Sequence, residues 1–109
     1  MRNELFASIL LFTSITAHAE FWTGTDLIQR LEEDQRGSAN FRVGMATGYV
    51  IGVADSVAGI LQCMPSGISV KQVNQVVFNY MKSHPESWNQ SADQLVVAAL
   101  NATWPCSKK

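Results

Sequence analysis

Two cysteines, Cys63 and Cys106, in a chain that opens like an exported protein constrain this fold more than any other feature. The first residues carry one cation, Arg2, then an apolar run from Phe6 to Phe12, then the small-residue pattern Ala17-His18-Ala19. That is the layout of a secretory leader cleaved before Glu20, so residues 1–19 are expected to be a removed signal peptide and 20–109 one mature domain. The apolar stretch is about a dozen residues, short of the roughly 20 that span a bilayer, and no membrane span is expected after cleavage. In an oxidising compartment an even cysteine count reads as a disulfide. A metal site is the rival reading, but His84 is the one histidine left after cleavage, and two thiolates with one imidazole fall short of four ligands. No metal or cofactor is therefore expected.

The disulfide matters because the mature domain is small. A domain of roughly 90 residues gains only marginal stability from its core. Closing a loop of roughly 43 residues stabilises it by about 4 kcal/mol on the chain-entropy account.

Apolar periodicity and capping signals predict an all-α fold, a compact bundle of about four helices closed by that bond. The first helix starts at Thr23 or Thr25, buries Leu27, Ile28 and Leu31, and stops before Gly37 after the acidic run Glu32-Glu33-Asp34. The second is expected from about Asn40 to Gln62, with Phe41, Met45, Tyr49, Val53, Val57 and Leu61 as its large apolar row. A second row, Gly44, Gly48, Gly52 and Ser56, is small. Each glycine costs up to about 1 kcal/mol relative to alanine inside a helix, so a close neighbour is expected to compensate. That neighbour is a helix of the same chain or the same helix of a second copy, which would make a homodimer.

Ser69-Val70-Lys71-Gln72 and Ser91-Ala92-Asp93-Gln94 both match the capping box and open the third and fourth helices. Val70, Val73, Val77, Tyr80 and Met81 form the apolar face of the third. Leu95 to Leu100 is apolar all round, so the fourth is enclosed until Pro105 ends it. The disulfide is thus expected to join the ends of helices two and four.

Candidate chemistry is sparse. The sequence has no G-x-S-x-G elbow and no H-E-x-x-H, and its glycines lie at helical spacing instead of in a phosphate loop. His84, before Pro85, reads as a cap on a helix end. A formal net charge of -1 argues against nucleic-acid binding or a polybasic membrane patch. No catalytic residues are assigned, and binding remains. Glu86 and Trp88, in the loop from Ser83 to Gln90, are an anion and an aromatic of the kind that anchors interfaces. Glu32, Glu33 and Asp34 are the second candidate surface.

Several segments together carry a family resemblance: Thr23-Gly24 leading into Asp26-Leu27-Ile28, the run GYVIGVADS from Gly48, and Cys63-Met64-Pro65 before Gly67-Ile68-Ser69. VVFNYMKSHPES from Val76, LVVAAL from Leu95, and Trp104-Pro105-Cys106 complete it. The chain resembles the Rap/Tai immunity proteins, which protect bacteria from peptidoglycan amidases delivered by type VI secretion. The resemblance implies a non-catalytic periplasmic helical domain, often dimeric, whose partner is an amidase effector and which blocks the effector's active-site cleft. Members often carry a further cysteine where this chain has Leu31, and its absence leaves the even pair Cys63 and Cys106. A different class, the acid-stress periplasmic chaperone of the Hde type, is also small, helical and built around one disulfide. With 16% charged residues, this chain has little repulsion to drive the acid-induced opening such a chaperone needs.

Overall fold

Helix caps place most of the chain. A computed structural model describes residues 21–107, so the expected leader at 1–19 lies outside the described residues. Thr23 and Asp26 form a reciprocal capping box, with Asp26 N–H on Thr23 Oγ1 at 3.3 Å and Thr23 N–H on Asp26 Oδ2 at 3.0 Å, and α1 runs Gly24–Gln35. Gly37 follows with φ 87, a left-handed conformation that glycine adopts without strain and that turns the chain into α2. Asn40 caps α2, Phe41–Ser56, through Val43 N–H at 3.0 Å. The Ser69–Gln72 box opens α3, Val70–Lys82, and α4 is Ala92–Thr103. Among the described residues there are four α-helices, one 3-10 turn at Pro85–Ser87, and no strand.

The bundle closes on one core. Leu27, Ile28 and Leu31 meet Ala46, Val50 and Ala54 of α2, Val73, Val77 and Met81 of α3, and Leu95, Val96, Ala99 and Leu100 of α4. Each fully buried Leu, Ile, Val or Met contributes about 1.5–3 kcal/mol relative to exposure. Trp22 and Trp104 pack against this core from its edge. Trp22 also stacks on Tyr49 at 4.8 Å and lies under the Arg30 guanidinium at 4.3 Å.

Three expectations are corrected. First, α2 ends at Ser56 instead of near Gln62. Gly59, at φ 80, turns the chain, and the buried Gln62 side chain folds back to donate to Ala54 O at 3.0 Å. Cys63 therefore sits in the turn beyond α2, where its N–H meets Trp104 O at 2.8 Å and its sulfur joins Cys106 with Cα atoms 4.8 Å apart. The disulfide is formed as expected, but it clasps two chain segments just outside the helices. Second, α2 buries the row Val43, Ala46, Val50 and Ala54, while Phe41 is 80% and Met45 46% exposed. The smaller row lets α2 touch α1, α3 and α4 at once. Third, Ser91 precedes α4 but makes no side-chain cap bond, because Ala92 N–H goes to Trp22 O at 2.9 Å and Gln94 N–H to Asp93 Oδ1 at 2.9 Å.

The glycine row follows from the second correction. A Cβ at Gly44, Gly48 or Gly52 would meet nothing within 4 Å, so among the described residues no other helix packs there. The intramolecular half of that expectation fails, and the row lies open on the face away from the core.

Candidate interaction surface

The loop between α3 and α4 is fixed from both sides. His84 Nδ1 lies 2.7 Å from Tyr80 O and the two rings stack at 4.1 Å, which closes the C-terminal turn of α3 as the sequence predicts. The Trp88 indole donates to Met81 O at 2.7 Å. On the far side the first turn of α1 uses the loop as its cap: Gly24 N–H donates to Gln90 O at 2.8 Å and Thr25 N–H to Trp88 O at 3.0 Å. These are helix-start donors that would otherwise need water or a side chain. Thr23 and Ser91 complete the seam as an isolated antiparallel bridge.

Gly24 makes this contact possible. A Cβ there would fall 2.8 Å from Trp88 O and 2.9 Å from Trp88 Cα, and would also strike Leu95. The residue carries no functional signature in the sequence, where it appears only within the Thr23-Gly24 pair of the resemblance.

The acidic run is drawn inward by cations from elsewhere in the chain. Lys82 Nζ lies 3.1 Å from Glu32 Oε2, tying α1 to the last residue of α3, where the loop begins. Arg42 donates from Nε to Glu33 Oε2 at 3.0 Å, and Asn40 reaches the same carboxylate at 3.4 Å. The Arg42 hydrogen bond holds the Glu33 carboxyl below the ordinary carboxylate value. A depressed folded-state pKa gives stability that is present above the unfolded pKa and lost as pH falls through the folded one. Wild type should therefore lose stability below about pH 4.3 more steeply than Arg42→Ala, in which Glu33 has lost its main partner; urea unfolding at pH 7, 5 and 3 checks this.

Both cysteines are oxidised, and among the described residues no group of three His, Cys, Asp or Glu side chains could hold a metal ion. A family model described as Rap1a immunity proteins matches residues 23–106.

The chain belongs to the Rap1a immunity protein family.

The Rap1a match begins at Thr23, the cap of α1, and ends at Cys106, the second half of the disulfide, so it takes in all four helices. No curated protein matches the chain. Within this Rap1a domain the five residues expected at a contact surface have different surroundings. Glu86 is exposed on the 3-10 turn. Trp88 is half-buried with its indole N–H paired inside the fold, so it holds the loop in place. Glu32, Glu33 and Asp34 are half-buried, two of them ion-paired. Lys82, the residue before the loop, pairs with Glu32 of the acidic run, while the loop itself meets the first turn of α1.

Proposed function

We propose that the protein is a periplasmic immunity protein that binds a peptidoglycan amidase delivered by type VI secretion and inhibits it by occluding its active-site cleft, with no catalytic activity of its own. The observation that carries this reading is the Rap1a family match over residues 23–106. The proposal includes export, with residues 1–19 removed as a signal peptide, and the disulfide is in keeping with an oxidising compartment. We assign the contact to the loop from Ser83 to Gln90, with Glu86 at its tip and the run Glu32, Glu33 and Asp34 beside it. A loop held by backbone bonds on one side and an indole bond on the other loses little freedom on association, and this favours tight binding.

The test is direct. The mature chain should co-elute with the cognate amidase and stop its cleavage of peptidoglycan; separate elution with full cleavage would defeat the proposal. Glu86→Lys should weaken binding roughly tenfold, about 1.4 kcal/mol, with thermal stability unchanged.

The homodimer belongs to the same proposal. Gly44, Gly48 and Gly52 lie open beside the exposed Phe41 and Met45, a face on which a second α2 could approach closely across a two-fold axis. Light scattering at about 50 μM should give twice the chain mass for wild type and the single mass for Phe41→Glu.

A further inference from the structure

The end of α2, the turn after it and the start of α3 enclose a cleft of about 300 Å³. Its lining is mostly apolar, with Ile51, Ala54 and Ala58 from α2 and its end, Met64 and Ile68 from the turn, and Val70 and Val73 from α3. Two polar side chains complete the lining, Gln62 and Asp55. Gln62 is buried and fully paired, donating to Ala54 O at 3.0 Å and accepting Met64 N–H at 2.7 Å. Asp55 is exposed, and among the described residues its carboxylate has no hydrogen bond or ion pair.

The position of Asp55 makes that isolation informative. It occupies the last turn of α2, where the helix dipole presents partial negative charge, and α2 has no basic residue there to offset it. The free chain therefore carries an anion that its own fold opposes, at the edge of an apolar cleft. A ligand that matches this pair of features has an alkyl body and a positive end.

We infer that the cleft receives a lysine side chain from a protein partner, its methylene stem against Ile51, Ile68 and Val70 and its ammonium on Asp55. Lysine naturally divides this way, with an apolar stem and a charged head. Either cation can pair with a carboxylate, but the flexible four-carbon stem of lysine is the longer apolar body to lay against these walls. The cleft opens on the α3 side of α2, and the length of α3 separates it from the loop at Glu86, by about 20 Å for 13 residues. It is thus a contact point additional to that loop, and the inference rests on the cleft alone, not on the immunity reading.

The test uses the oxidised mature protein and two small probes, N-acetyl-lysine methylamide and N-acetyl-norleucine methylamide, which differ in the charged end. In an amide NMR titration the lysine probe should give saturable shifts concentrated at residues 51–58 and 62–73, with the norleucine probe at least fivefold weaker. Asp55→Asn should weaken the lysine probe at least fivefold while leaving the melting temperature level or higher, because it removes a charge that the helix dipole opposes. Val70→Lys, at a position 49% exposed, supplies an ammonium within the chain and should likewise block the probe. Equal binding of the two probes, undiminished binding to Asp55→Asn, or no shifts at the cleft would each overturn the inference.

Discussion

Replacing both Cys63 and Cys106 by alanine is expected to lower the unfolding free energy by about 4 kcal/mol, the value for releasing a 43-residue loop in the unfolded chain. The loss should come from the unfolded state because the folded contacts around the bond persist without it. Cys63 N–H still reaches Trp104 O at 2.8 Å, and Asn101 Nδ2 still donates to Leu61 O at 2.9 Å. Against a total of about 5–15 kcal/mol for a domain of this kind, the effect is large. The melting temperature should fall by roughly 15–30 °C. Urea unfolding with and without reductant checks the origin as well as the size: an open unfolded chain exposes more surface, so the denaturant slope should rise as the midpoint falls. A change below about 1 kcal/mol would mean that the unfolded chain keeps these two segments close without the bond, leaving loop entropy little part.

Gly24→Val carries the second large effect, an expected loss of about 3 kcal/mol. Its Cβ would meet the Trp88 backbone at 2.8 and 2.9 Å, and backbone cannot turn aside as a side chain can. To make room the loop must lift, and two N–H bonds from α1 then go with it, Gly24 to Gln90 O and Thr25 to Trp88 O. Gly48→Val provides the control. Within one chain nothing lies within 4 Å of that position, so at a concentration too low for the proposed dimer valine there should change stability by less than about 1 kcal/mol. Equal losses at the two sites would show that helix propensity, not the seam, sets the cost. The proposed inhibition should follow the same order, since it needs the loop in place.

The capping signals that were legible in the sequence were those whose partners lie close along the chain. Thr23 with Asp26 and Ser69 with Gln72 are three residues apart, and both boxes form. Ser91 with Gln94 has the same spacing and fails, because Gln94 N–H, the donor the box requires, goes to Asp93 Oδ1, while Trp22 O from the other end of the domain holds the N–H of Ala92. The face of α2 was hidden for a related reason. A helix apolar all round offers several rows, and only the shapes of its three neighbours select Val43, Ala46, Val50 and Ala54 over Phe41 and Met45. At the candidate surface, Glu86 was readable as a loop anion and is exposed. The pairing of Glu32 with Lys82, 50 residues away, had no local trace, and neither did the close approach at Gly24.

The seam between residues 22–25 and 88–92 also sets the order in which this molecule can assemble. α1 is made first, yet at 12 residues it is too short to hold a helix alone in water, and the carbonyls that cap it belong to Trp88 and Gln90. α4 in turn begins by donating to Trp22 O. Each end of the chain lacks a binding partner until the other has arrived. A chain emerging N-terminus first can therefore complete the starts of α1 and α4 only once the residues from Trp88 to Ala92 are free. Up to that moment both helix starts stay open, as the proposed export of an unfolded chain would require.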